Sequence, residues 1–417
     1  MPIETVVFMM MENRTFDHYF GALSLVEGRT EVDGLTAEME NRYPDGTPVS
    51  PFPLDEFCVC DPPHTWNPSH RQFNGGANDG FVREHLDANG SPEHARQAMG
   101  YFDRARIPFY YGLAEEFVLC QRWFASVMSA TIQNRFYFHA GTVNGARSGL
   151  PEDTNLATLY DRLDARGLTW KYYYTDLPYL AVLFARIPDL APRMRPIAEY
   201  FEDAERGTLP HLAVVDPSFA LIDDHPPHHV QLGQSLVSSV FHALAMGPQW
   251  ERSAFILTYD EHGGFFDHVP PPKVEDDLAA EGFDQLGFRV PSIVAGPYAR
   301  RGAVSNTVYD HTSVHRFLNW LWDLEPLTLR SATANSILDT FDAARVLARE
   351  PRAVPALPEV IVSEDHLRLS CVLGFECDFS IDILNLADRG RIPRSLDLRP
   401  RLWSVYGRVL AELERRG

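Results

Sequence analysis

The feature that most constrains this chain is a set of short apolar runs that each stop at an acid. Residues 6–11 (VVFMMM) are followed by Glu12 and Asn13, residues 211–215 by Asp216, and residues 254–259 (AFILTY) by Asp260 and Glu261. A fourth run, residues 290–295, is interrupted by Pro291 and ends at Gly296-Pro297. Runs of this length without polar alternation suit strands buried on both faces, as in a parallel sheet covered on two sides. The expected fold is therefore α/β, a mostly parallel central sheet sandwiched by helices. Open sheets of this kind bind ligands beyond the carboxyl ends of their strands. The acids that end the runs stand where chemistry is expected.

Helical patterns lie between the runs. Val230–Met246 repeats Leu232, Leu236, Val237, Val240 and Leu244 at helical spacing, and residues 313–324 repeat Val314, Phe317, Leu318 and Leu321, with Asp310 and Thr312 available to cap. Residues 404–416 carry Val405, Val409, Leu410 and Leu413 on one face. Residues 28–103 are rich in Gly, Pro, Asn and Asp and are expected to form long loops.

The chain has 417 residues and a formal charge of −20. That charge repels phosphate backbones, which excludes nucleic-acid binding through a broad basic face. No stretch approaches the roughly 20 apolar residues that span a bilayer, so no transmembrane segment is expected. The start of the chain lacks a basic segment, and Glu12, Asn13 and Arg14 interrupt its apolar run. A cytoplasmic protein is expected, or a secreted or periplasmic one if a leader has been removed. Five cysteines, Cys58, Cys60, Cys120, Cys371 and Cys377, are odd in number and sparse, and free thiols are expected.

Five segments carry chemistry-bearing side chains. Glu12 and Asn13 offer oxygen to a hard cation or cap a following helix. Thr131 is either a helix cap or a hydroxyl nucleophile at a phosphate-gathering helix start, where Asn134 and Arg135 could donate to phosphate. The segment 223–229 (DDHPPHH) is a polar loop, a zinc site or the source of a general acid. Asp260 and Glu261 end a buried run side by side and would repel each other without a cation. Asp310 and His311 either cap the next helix or point back to the site. Aromatics in residues 101–124, Tyr172–Tyr174 and Tyr179 are core packing or a cage for a quaternary ammonium.

Six segments together resemble a bacterial phosphoesterase family that contains non-haemolytic phospholipases C, acid phosphatases and plant non-specific phospholipases C. They are residues 10–21 (MMENRTFDHYFG), 64–66 (HTW), 131–142 (TIQNRFYFHAGT), 223–229, 258–272 (TYDEHGGFFDHVPPP) and 308–320 (VYDHTSVHRFLNW), in the family's order. The resemblance implies an alkaline phosphatase-like fold. It also implies one divalent metal (Ca, Mg, Mn or Zn) on Glu12, Asn13, Thr131, Asp260 and Glu261. Thr131 would be the nucleophile, Asn134 would hold a phosphate oxygen, and His225 would stand near the leaving group. A phospholipid such as phosphatidylcholine is the expected substrate, with a small phosphomonoester as the alternative. The sequence departs from the family at Gln121 and Gln133, both near the nucleophile. The resemblance covers a catalytic domain of residues 1–330, with residues 331–417 expected to pack on it as a C-terminal extension.

Overall fold

A computed structural model of the chain describes residues 1–176, 178–219 and 221–360. Its centre is an eight-stranded sheet. In chain order the strands are β1 (Thr5–Met11), β2 (Val118–Cys120), β3 (Trp170–Tyr174), β4 (Met194–Pro196), β5 (Leu212–Asp216), β6 (Ser253–Tyr259), β7 (Ile293–Ala295) and β8 (Ala303–Ser305). In space they run β8-β2-β7-β6-β1-β5-β3-β4. Every pairing is parallel except those of β7, which is antiparallel to both β6 and β2. The fourth apolar run therefore enters the sheet, but against the grain and over three residues only.

The continuous apolar character of β1 and β6 has the expected cause. All seven residues of each are buried, and side chains of successive residues leave on opposite faces. The rings show what covers each face. Phe8 of β1 stacks on Phe138 at 3.8 Å, which puts helix α1 (Thr131–Ala140) on one face. Phe255 of β6 meets Phe241 at 5.5 Å, which brings up helix α2 (Val230–Met246). Phe255 is paired with Val7, one residue before Phe8. The two helices thus lie on opposite faces, and the sheet is sandwiched. A third helix, α3 (Thr312–Trp322), packs beside α1.

Residues 28–103 differ from the expected loops. They contain helices Trp66–Phe73, Phe81–Asn89 and Pro92–Arg96 and two short strand pairings. Each helix spans at most nine residues and buries few side chains, so no sustained apolar period marks it in the sequence. Cys58 and Cys60 are disulfide-bonded, against the expected free thiols, while Cys120 is a buried free thiol. Tyr172 and Tyr173 are fully buried in the core and form no cage. Ile337 and Phe341 join the same core, with Leu357 and Val360 packed against it. The helix expected over residues 404–416, Cys371 and Cys377 lie outside the described residues. Among the described residues no helix is long and apolar enough to cross a membrane.

Candidate active site

The sheet register assembles the site. Met11 pairs with Tyr259, so Glu12 and Asp260 leave neighbouring parallel strands at the same level. Asp216 ends β5 on the other side of β1. The backbone then turns sharply. Asn13 adopts a left-handed conformation (φ 61°), which Asn tolerates better than most residues. Its N–H donates to Asp260 Oδ1 at 3.1 Å, and the N–H of Glu261 donates to the same oxygen at 2.7 Å. Gly263 passes so close that a Cβ there would sit 2.1 Å from the Asn13 carbonyl oxygen. Only glycine fits at that crossing.

Thr131 is the first residue of α1, and Ala130 before it provides no side-chain cap. Its hydroxyl is not spent on the helix. Oγ1 lies 3.2 Å from Glu12 Oε2 and 3.2 Å from Asn13 Oδ1. The capping alternative for Thr131 is set aside by this geometry. The helix instead delivers the hydroxyl to the end of β1.

One turn further along α1, Arg135 is inserted among the acids. It reaches Glu12 at 2.9 Å, Asp216 at 3.0 Å and Asp260 at 3.6 Å, and also donates to the Met10 carbonyl. Tyr179 and Phe219 flank its guanidinium at 5.1 and 4.9 Å. Arg135 is therefore a buried counter-ion, not the phosphate donor that the sequence suggested. It faces Glu12, Asp216 and Asp260, all at most 4% exposed, so the acids outnumber it. Burial and the neighbouring Asp260 push the Glu12 carboxyl well above its ordinary range, against the pull of Arg135. Burial holds Asp216 up at about 6. Asp260 Oδ2 is buried and accepts no hydrogen bond among the described residues. Excess buried carboxylate and an orphaned oxygen fit a hard divalent cation, to which Glu12, Asn13, Thr131 and Asp260 could offer oxygen here.

The histidines of the 223–229 loop separate. His225 faces His64, with ring centroids 5.6 Å apart. His228 pairs with Asp223 at 2.5 Å, while His229 accepts from Gln231 and stacks on Phe57. A zinc centre made of these three histidines does not form. Asp61, His64 and His225 instead bring one nitrogen or oxygen each within 4.8 Å of one another. His64 Nε2 lies 3.2 Å from Asn13 Nδ2 and 3.5 Å from Glu261 Oε1. His64 had no role in the sequence-based expectation, although the segment 64–66 marked it. His311 backs the site, its Nε2 donating to the Asp260 carbonyl at 2.7 Å.

Asn134 requires a correction. Its Nδ2 donates to the carbonyls of Val127 (3.2 Å), Ser129 (2.9 Å) and Ala130 (3.2 Å), and its Oδ1 accepts from the Val127 N–H. The amide is committed to bracing the turn before Thr131 and has no donor left for a phosphate oxygen.

A second polar cluster ties the segment after β1 to the segment after β6. Arg289 spans Asp17 (3.0 Å) and Asp267 (2.8 Å), and His268 Nδ1 lies 2.7 Å from Asp17. Burial opposes a charge on His268, but Asp17 overcomes it and raises the imidazole to about 9 from an ordinary 6.5. A raised pKa means that this contribution to stability is complete below 6.5 and fades as pH rises through about 9. His268→Ala is therefore expected to lower the melting temperature more at about pH 6 than at about pH 9.5, measured by thermal unfolding.

Residues 3–325 match the phosphoesterase family. The chain belongs to that family. It is 32% identical to non-specific phospholipase C1 of Arabidopsis thaliana, over 93% of this chain and 79% of that protein. It is 29% identical to phospholipase C A of Mycobacterium tuberculosis, over 86% of this chain and 82% of the relative. Among solved structures, a phosphonate monoester hydrolase of Agrobacterium radiobacter is similar at a TM-score of 0.40 and 10% identity, over 81% of this chain and 77% of that one. As a phosphoesterase the chain is a phosphoric ester hydrolase. The acid-ended strands, Thr131 and His64 all fall within the matched residues.

Proposed function

We propose that this phosphoesterase is a phospholipase C. It would cleave a phospholipid such as phosphatidylcholine to diacylglycerol and a phosphorylated head group, through a phosphothreonine intermediate at Thr131. The observation that carries this reading is the Thr131 hydroxyl, delivered by a helix N-terminus to the oxygens of Glu12 and Asn13. The names of the relatives support the lipid substrate.

A free threonine hydroxyl is a poor nucleophile and needs a neighbour to take its proton. Glu12 Oε2 lies within hydrogen-bond reach at 3.2 Å and, as a carboxylate, can take it. Glu12, Asn13, Thr131, Asp260 and Glu261 would hold the divalent cation. When bound, the cation supplies a lowered hydroxyl pKa and neutralisation of phosphoryl charge. Oγ1 attacks phosphorus in line with the leaving oxygen. The first N–H groups of α1 would meet the phosphoryl oxygens, and Asn13 Nδ2, one hydrogen of which goes to His64 Nε2, would offer its second.

His225 would give the leaving alkoxide its proton. Burial lowers its imidazole to about 3, so it is neutral in the free protein. Its Nδ1 donates to the Pro226 carbonyl, which fixes the tautomer and leaves Nε2 as the atom that takes and gives a proton. As the anionic phosphate binds beside it and favours the charged form, Nε2 would take a proton from solvent and then give it to the leaving oxygen. Water would then attack phosphorus with Nε2 taking its proton back, the Oγ1–P bond would break, and the proton held by Glu12 would return to Thr131 Oγ1.

Initial rates on phosphatidylcholine dispersions beside p-nitrophenyl phosphate test the substrate class. Faster release of phosphocholine per unit enzyme is expected. Preference for the monoester would replace this reading with that of a phosphatase acting on small soluble substrates. In either assay, chelation of divalent cations is expected to remove turnover and re-addition to restore it.

A further inference from the structure

The loop that carries His225 is anchored by a group that no step above uses. Asp224, next to His225, is fully buried and has a left-handed backbone (φ 75°). Its Oδ2 accepts from three tyrosine hydroxyls, Tyr259 at 2.6 Å, Tyr19 at 3.1 Å and Tyr110 at 3.2 Å. Its carbonyl accepts from Arg14 Nε at 2.8 Å. These partners come from four places: the end of β6, the loop after β1, the short helix Phe16–Phe20 and the helix Pro108–Glu116. Three of the four are next to residues of the site or run on from them. On its remaining side the carboxylate lies flat on α2. A Cβ at Gly233 would sit 1.9 Å from Asp224 Oδ1, so the glycine is what lets Asp224 seat.

We propose that Asp224 is a positioning residue. It sets where the His225 ring stands relative to Thr131, and so controls proton delivery to the leaving group without touching substrate. This rests on the assignment of His225 as proton donor. Asp223 orders the loop internally, its side chain accepting from the His225 N–H and from His228, and its carbonyl accepts from the Glu12 N–H at 2.8 Å. Asp224 connects the loop to the strand and helices that carry the rest of the site. A misplacement of about 1 Å can cost on the order of 100-fold in a proton-transfer step.

The test compares matched p-nitrophenyl and alkyl phosphoesters. The first leaves as a stable anion and needs little protonation; the second needs a proton. Asp224→Ala and Gly233→Ala are each expected to lower kcat on the alkyl ester by roughly 10–100-fold and on the p-nitrophenyl ester by less than about 3-fold. Asp224→Asn keeps an acceptor for the tyrosines and is expected to recover most of the alkyl-ester rate. His225→Ala, run in parallel, should show the same split, only larger. If His225→Ala splits the substrates while Asp224→Ala and Gly233→Ala slow both equally or neither, the positioning role is overturned. If His225→Ala itself slows both equally, the donor assignment fails instead. Should Asp224→Ala not fold, Gly233→Ala and Tyr110→Phe carry the same comparison.

Discussion

Thr131→Ala is expected to lower kcat by about 10⁴-fold or more, with the fold intact. The magnitude follows from the role: among the described residues no second hydroxyl is seen to reach both Glu12 Oε2 and Asn13 Oδ1, and without a nucleophile the two-step path is closed. The side chain is small, and its loss removes one methyl and one hydroxyl from a buried site. The cost in stability should be within about 1–2 kcal/mol. Its burial beside the acids makes the control straightforward. Circular dichroism and divalent-cation content should match wild type, because Glu12, Asn13, Asp260 and Glu261 remain. Thr131→Ser, which keeps the oxygen, should retain measurable turnover and trap label from a radioactive phosphoester at position 131. A Thr131→Ala protein that turns over at the wild-type rate would sink the assignment.

How much of this was legible in the sequence differs from residue to residue. Strands β1 and β6 announce themselves because both faces are buried and no charged residue breaks them. Their register then brings Glu12 beside Asp260, which two adjacent run-ending acids already implied. Helix α2 has the bounds that its periodicity gives, Val230–Met246. Contacts between distant segments were not legible. Arg135 meets Asp216 across 81 residues of sequence, and His64 meets Asn13 across 51. No local pattern encodes either. A positively charged residue next to a phosphate-binding motif suggests a phosphate ligand until the acids around it are placed. Asn134 misled for a related reason. Its motif implies a ligand, but the turn between Val127 and Ala130 presents three carbonyls that need a donor, and the amide meets them. The antiparallel β7 was hidden by its brevity, since three residues carry no direction.

The other large effect concerns stability. Arg135→Met keeps the aliphatic bulk and removes the one guanidinium among Glu12, Asp216 and Asp260. Breaking a buried ion pair from one side leaves an uncompensated charge and costs about 3–5 kcal/mol. In chelator, the variant is therefore expected to melt well below wild type. Two further measurements separate charge from packing. Saturating divalent cation binds the same carboxylates only in the folded state, so it should recover part of the loss. Asp216→Asn added to Arg135→Met should recover another part, because it removes the acid that depends on Arg135 and gives the cation nothing. It should do so most at alkaline pH, because Arg135 is what pulls the Asp216 carboxyl down to about 6 in the intact protein, and without it Asp216 ionises only at higher pH. For a group whose folded pKa is raised, stability is lost as pH rises through that value, and neutralising it removes the loss. If Arg135→Met melts with wild type in chelator across that range, the acids hold protons of their own. The guanidinium would then be a spacer, not the charge that lets four carboxylates share the ends of three strands.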